Sequence, residues 1–113
     1  MQKFQAKTKY VRISPRKARL AADLIRGLKV RDAFLQLQAS GLKGGRLLSK
    51  TLKSAVANAE LQGDLSEDKL MVNAVYVDEG PRLKRAKPRS RGSSHPIIKR
   101  MSHFVVVVAG GEK

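Results

Sequence analysis

The segment LMVNAVYVDEGPRLKRAKPRSRGSSHPIIKRMSHFVVVVA, residues 70–109, decides the fold of this 113-residue chain. Its two ends, residues 70–77 and 101–109, are rich in Val and other apolar residues that favour β-strands. The first run is apolar at both odd and even positions, which predicts a strand covered on both faces. We expect the two runs to pair as the legs of one hairpin, with the residues between them as the connection.

The connection is far more polar than the strands that flank it. Residues 80–100 hold eight Lys or Arg residues, no Asp or Glu, and little apolar content before Ile97. Two interpretations stay open: a disordered basic loop, or an extended hairpin that turns near residues 91–93. Pro88 and Pro96 cannot donate to a strand ladder, and they argue against regular pairing in the outer half. In either case, support for this segment must come from outside the protein's own core.

The first two-thirds of the chain carries one strand pattern and three helical patterns. Loosely alternating apolar residues predict a strand over residues 3–13. Ser14 suits the N-cap of a helix and Pro15 suits its first turn. Apolar residues at helical spacing then predict helices over 15–26, 30–39 and 46–62. Gly44 and Gly45 are expected to loosen the chain before the third helix.

Composition limits the function classes. The formal net charge is +15, which is typical of a protein that binds a polyanion. The chain has no Cys, so disulfides and Cys-based zinc sites are excluded. No apolar run approaches the roughly 18 residues that span a bilayer. The N-terminus lacks a signal peptide pattern. We expect a single domain of residues 1–113, without membrane insertion or homo-oligomerisation.

The basic residues are clustered, which argues against a role in solubility alone. Residues 3–31 hold ten basic residues and one acidic residue, and residues 82–100 hold eight and none. Both clusters contain several Arg residues, whose guanidinium groups bind phosphate in a forked geometry and stack on bases. Nucleic acid is therefore the expected partner. RNA recognised through its shape is favoured over DNA, although the aromatic pattern of an RRM and a KH-type loop are absent.

Catalytic interpretations are weak. Ser102, His103 and Asp78 could be drawn as a hydrolase triad, but no nucleophile-elbow motif surrounds a Ser. We expect Asp78 and Glu79 to end a strand beside a Gly-Pro turn and not to act as paired catalytic carboxylates. The two His residues, without Cys, make a poor metal site. The glycines form no phosphate-binding pattern. We expect no enzymatic activity, no metal and no cofactor.

Three strings carry a resemblance to a known family: YVRISPRKARL…ADLIRG at 10–27, LKSAVANAE at 52–60, and YVDEGPRLKR…PRSRG…IIKRMSHFVVVV at 76–108. In order and spacing, they resemble the bacterial form of the large-ribosomal-subunit protein family numbered twenty-two. The resemblance implies an α+β fold in which three helices pack on a small three-stranded antiparallel sheet. It also implies a long protruding β-hairpin over about residues 80–100.

The resemblance further implies a function. Family members are structural constituents that bind large-subunit rRNA and assist early subunit assembly. Their globular part sits near the peptide exit, beside neighbouring ribosomal proteins, and the hairpin tip lines the tunnel and meets the nascent peptide. The expected location is the cytoplasmic ribosome, with an organellar ribosome not excluded. The alternative is a free basic nucleic-acid-binding protein or RNA chaperone.

Matching positions, together with some of the other basic residues of the two clusters, give the expected site residues. The rRNA-binding residues are Lys7, Lys9, Arg12, Arg16, Lys17, Arg19, Arg26, Arg82, Lys84, Arg85, Lys87, Arg89, Arg91, Lys99 and Arg100. The expected tunnel-lining tip is Pro88, Arg89, Ser90, Arg91, Gly92, Ser93 and Ser94. The sequence departs from the family pattern at Gly44-Gly45, Lys87, Ser93 and His95-Pro96.

Overall fold

The computed structural model describes residues 2–81, 83–88 and 94–110. Strands and helices follow in the order β1 (Gln2–Val11), α1 (Pro15–Ile25), α2 (Val30–Ser40), α3 (Lys43–Gly63), β2 (Leu70–Glu79), β3 (Leu83–Pro88), β4 (Ser94–Lys99) and β5 (Ser102–Gly110). A short 3₁₀ turn, Glu67–Lys69, precedes β2. The predicted α+β class is confirmed, with three helices packed on a three-stranded antiparallel sheet.

Strand β5 is the centre of that sheet, in the order β1-β5-β2, and it pairs antiparallel with both neighbours. Phe104, Val106 and Val108 of β5 are buried beneath the helices, whereas Val105 and Val107 between them are only half-buried. On β2, Tyr76 is 54% exposed. The prediction of a strand covered on both faces was therefore wrong, because the helices cover only one face of the sheet.

The helices approach one another closely because their contacting faces carry small side chains. Ala18, Ala21 and Ala22 of α1 are fully buried, and Gly44 of α3 is buried against Ala18 and Ala21. The Ser14 Oγ accepts a hydrogen bond from the Lys17 amide at 3.4 Å, which confirms Ser14 as the N-cap of α1. Within the described residues, no helix has both the length and the apolar content that a membrane span requires.

Helix α3 begins at Lys43, three residues before the predicted start at Arg46, and includes both glycines. The prediction that Gly44 and Gly45 loosen the chain was therefore wrong. A Cβ at position 44 would lie 3.3 Å from the Ala18 Cα, and one at position 45 would lie 2.9 Å from the Leu37 carbonyl oxygen. The two glycines thus allow the start of α3 to lie against α1 and α2.

Strands β3 and β4 form a separate two-stranded sheet, from the pair Leu83↔Lys99 to the pair Pro88↔Ser94. This pairing confirms the extended hairpin for those residues. The objection drawn from the two prolines was wrong, since both lie within the paired strands. In a two-stranded ribbon each strand has a free edge, and a missing N–H that faces that edge breaks no ladder bond. The predicted turn at 91–93 lies outside the described residues.

We expect Gly45→Ala to destabilise the protein although Ala is the better helix former. Ala gains about 1 kcal/mol of helix propensity over Gly. Displacing the backbone carbonyl of Leu37 costs about 1–3 kcal/mol, as overpacking generally does. Because a carbonyl is not a flexible side chain, we expect a net loss of about 1 kcal/mol in a urea unfolding titration. The control is Ser54→Ala at an exposed position of α3, which should leave stability unchanged or raised. A stability gain for Gly45→Ala would contradict the close packing of α3 on α2.

Replacing residues 82–99 with a short Gly-Ser linker should leave the rest of the protein folded. The hairpin sheet shares no strand with the central sheet. The Gly80 amide donates to the Met101 carbonyl at 2.8 Å, so the two ends of the hairpin are already adjacent. A cooperative thermal transition by far-ultraviolet circular dichroism is expected. A chain with no cooperative transition would show that the hairpin belongs to the core.

Candidate nucleic-acid interface

Lysines of β1 lie on the face of the sheet that the helices leave open. Ala6 is buried, and the hydroxyls of Thr8 and Thr51 are 2.8 Å apart, so the even positions of β1 face α3. Because side chains alternate along a strand, Lys7 and Lys9 project from the opposite face. Both are exposed, and they are available to a phosphate backbone.

An irregularity at the end of β1 redirects the chain toward α1. The register with β5 shifts between Thr8 and Val11, and Tyr10 adopts a positive φ of 61°. The Tyr10 amide donates to Nδ1 of His103 at 3.1 Å, and the two rings meet edge to face with centroids 5.1 Å apart. His103 therefore supports a strained turn, after which Arg12 is exposed.

Four cationic side chains converge beyond this turn. They line a cavity of about 570 Å³ between the start of α1, the start of α3 and the base of the hairpin: Arg12, Lys17, Lys43 and Arg100. Ile13, Leu20 and Leu42 supply its apolar wall, and no Asp or Glu lies among the described residues that line it. Three of the four cations were predicted site residues, and the fold brings them together with Lys43, which was not.

Arg19 and Arg26 have partners within the protein. Nε and Nη2 of Arg19 donate to the Val77 carbonyl at 3.2 and 3.0 Å. Nε and Nη2 of Arg26 donate to the Val75 carbonyl at 3.3 and 2.9 Å. These bonds satisfy carbonyls on the outer edge of β2, so both arginines hold α1 against the sheet. Their role in RNA binding stays a prediction, and Arg16 on the same helix is exposed.

The predicted hairpin residues are placed by backbone register alone. Lys84 lies opposite Ile98, Arg85 opposite Ile97, and Lys87 opposite His95. Lys99 lies opposite Leu83 at the base of the ribbon, and Arg100 follows it. Of the predicted tip, Pro88 and Ser94 form the last described pair. The remaining predicted residues lie outside the described residues: Arg82, Arg89, Ser90, Arg91, Gly92 and Ser93.

The sequence analysis missed a second group of cations. Arg46, Lys50 and Lys53 lie along one side of α3 and line a hollow of about 540 Å³ that Phe34 and Gln38 of α2 complete. Their spacing of four and then three residues places them on one helix face. That spacing is visible in the sequence, but they belong to neither of the two charge-dense segments.

The drawn catalytic triad does not form in the structure. Ser102 is buried, and its hydroxyl donates to the Ile13 carbonyl at 2.7 Å. Ser102 and His103 are neighbours on β5, so their side chains project from opposite faces. No group of His, Cys, Asp and Glu that could hold a metal occurs among the residues that the structure describes.

Most of the positive charge is uncompensated. In the described part of the chain, the ion pairs are Arg26–Asp23 and Arg31–Asp68, and both are exposed. Since 24 Lys and Arg residues stand against nine Asp and Glu residues, the acidic residues are too few to neutralise most of the basic ones. The described residues thus form a small α+β domain with cationic hollows on its helical side and lysines on its open sheet, which is the charge distribution expected of proteins that contact the backbone of a polyanion.

Comparison with known proteins specifies this class further. Residues 6–109 match the family model described as Ribosomal protein L22p/L17e. The chain is 68% identical over 105 residues to the Large ribosomal subunit protein uL22 of Protochlamydia amoebophila, covering 93% of this chain and 95% of the relative. It is 56% identical over 110 residues to the protein of the same name from Chlamydia abortus, covering 97% of each. The chain belongs to the ribosomal protein L22p/L17e family, which confirms the resemblance found in the sequence.

Replacing Arg19 with Met should destabilise the fold, because Met keeps the aliphatic length but cannot donate to the Val77 carbonyl. Loss of hydrogen bonds from a charged donor to a partly buried acceptor costs about 1–2 kcal/mol. The measurement is the free energy of unfolding in urea. Arg16→Met on the same helix is the matched control and should change it by less than about 0.5 kcal/mol. Equal losses in the two variants would contradict the role of Arg19 at the edge of β2.

Proposed function

We propose that this chain is a structural constituent of the large ribosomal subunit that binds large-subunit rRNA. Family membership over nearly the whole chain supports the ribosomal assignment. The relatives named above are large-ribosomal-subunit proteins of bacteria, and we place this chain in the same particle in the cytoplasm. The family is structural, so the role is to bind and position RNA and not to catalyse a reaction.

The observation that carries the proposal is the set of uncompensated cations on the described surface. A protein that binds duplex or folded RNA through its phosphates needs many cations that are free of internal partners. Arg12, Lys17 and Arg100 meet that requirement in the cavity, as do Lys7 and Lys9 on the open sheet. Arg46, Lys50 and Lys53 extend the cationic surface along α3.

The presence of two separate sheets supports different contacts for two parts of one rRNA-binding domain of residues 1–113. The central sheet and helices form the globular part, which we place near the peptide exit beside neighbouring ribosomal proteins. The hairpin of residues 80–100 leads away from the ends of β2 and β5. We propose that its tip lines the nascent-peptide tunnel and that the chain joins the subunit early in assembly.

The competing function is that of a free basic nucleic-acid-binding protein or RNA chaperone. A sucrose gradient at raised salt separates the two. Stoichiometric migration with the large subunit, at one copy per particle, is the expected result. Quantitative release into the soluble fraction at the same salt would support the free factor.

Neutralising a cavity cation should weaken binding to large-subunit rRNA and reduce its salt dependence. Each phosphate contact contributes roughly 0.7–0.9 to the slope of log affinity against log salt. We therefore expect Arg12→Gln to lower the slope by about 1. Affinities are measured by filter binding over a series of potassium chloride concentrations.

The control for that measurement is Arg31→Gln, because Arg31 already pairs with Asp68 at 3.0 Å on a surface that also carries Glu67. The slope of log affinity against log salt for Arg31→Gln should match that of the wild type. If Arg12→Gln and Arg31→Gln gave the same slope as the wild type, the cavity would not be a phosphate contact. Salt-independent binding by the wild type would overturn the proposed function itself.

A further inference from the structure

The cavity between α1, α3 and the hairpin base combines two kinds of surface that an RNA duplex does not need together. Its cations, Arg12, Lys17, Lys43 and Arg100, suit phosphate oxygens. Its wall of Ile13, Leu20 and Leu42 offers nothing to a phosphate. A contact to the backbone of a duplex would be served by the cations alone.

The apolar wall is open to a ligand. Leu20 is 59% exposed and Leu42 is 37% exposed, so both retain apolar surface at the mouth of the cavity. Ile13 is buried and supplies the floor. Single exposed leucines are common on proteins. Two of them in one concave site, beside four cations that lack ion pairs in the described part of the chain, are a more specific arrangement.

The size of the cavity fits a small ligand. Its volume of about 570 Å³ falls in the middle of the range of about 300–1,000 Å³ that is typical of ligand pockets. A nucleotide that is unstacked from its neighbours can enter the cavity, with its base against an apolar surface and its phosphate at the rim.

We propose that this cavity binds a single unpaired nucleotide of RNA, bulged or looped out of its helix. The four cations hold the phosphates on either side of it, and the face of the base lies on Leu20 and Leu42. This inference rests on the proposed function and deepens it, because it distinguishes one structured contact from general attraction to the RNA backbone. It also explains why Lys43, which lies outside both charge-dense segments, belongs to the interface.

The test compares a short RNA duplex with the same duplex carrying one bulged adenosine, using the full-length protein at fixed salt. We expect the wild type to bind the bulged RNA roughly threefold to tenfold more tightly, as partial apolar burial of one base implies. Leu20→Ser and Leu42→Ser keep all four cations and should lose that preference. Their affinity for the perfect duplex should be unchanged.

Leu24→Ser is the matched control. Leu24 lies one turn beyond Leu20 on α1 and is 39% exposed, but it does not line the cavity. Its preference for the bulged RNA should equal that of the wild type. Thermal unfolding of each variant verifies that all of them fold. Equal affinity of the wild type for the two RNAs, or equal loss of preference in Leu20→Ser and Leu24→Ser, would overturn the inference.

A second measurement identifies the ligand chemistry. Adenosine 5′-monophosphate should shift the amide resonances of Ile13, Leu20 and Leu42 beyond the shifts that inorganic phosphate produces. Identical shifts from both ligands would show that the cavity binds only the anionic phosphate group, and they would refute the nucleotide assignment. Larger shifts from hexaglutamate would instead favour an acidic protein segment. Normal salt-dependent binding of large-subunit rRNA in the same preparations would leave the proposed function standing in either case.

Discussion

The position of β5 between β1 and β2 is the constraint on which the rest of the structure depends. Val108, near the end of the chain, lies opposite both Phe4 and Val72. The central sheet therefore forms only when the first, middle and last strands meet, and the helices between β1 and β2 must cover one face of it. Since β2 and β5 are antiparallel neighbours, the residues between them connect two adjacent strand ends, and β3 and β4 form a separate sheet beyond those ends.

The same topology leaves β2 as an edge strand whose carbonyls need partners. The loop after α1 satisfies part of this edge, since the Gly27 amide donates to the Val72 carbonyl at 3.1 Å. Farther along the same edge, Arg26 donates a hydrogen bond to the Val75 carbonyl and Arg19 donates one to the Val77 carbonyl. Basic residues thus serve two purposes in one helix. Those on the sheet side stabilise the fold, and Arg16, on the solvent side, remains free for a polyanion.

Sequence patterns correctly predicted the features that depend on neighbouring residues in the chain. They failed for features that depend on packing between residues far apart in the sequence. Ser14 caps its own helix, so the start of α1 was predictable. Gly45 has poor helix propensity, yet it lies in α3 because only a residue without a Cβ fits against the Leu37 carbonyl. The cationic cavity was not predictable as a unit, because Lys43 and Arg100 are brought together by the fold. By contrast, the row formed by Arg46, Lys50 and Lys53 could have been found from helical spacing alone.

The charge of the hairpin links its stability to its ligand. A two-stranded ribbon without a third strand or a helix against it is only marginally stable in water. Residues 80–100 also concentrate eight cations and no carboxylate, so their mutual repulsion opposes close pairing of the strands. The hydrogen bond from Gly80 to Met101 fixes the register at the base, but it cannot offset repulsion farther out. A polyanion that binds the paired form removes that repulsion and stabilises it by mass action. On this argument the proposed RNA partner contributes to the folding energy of the hairpin as well as occupying its surface.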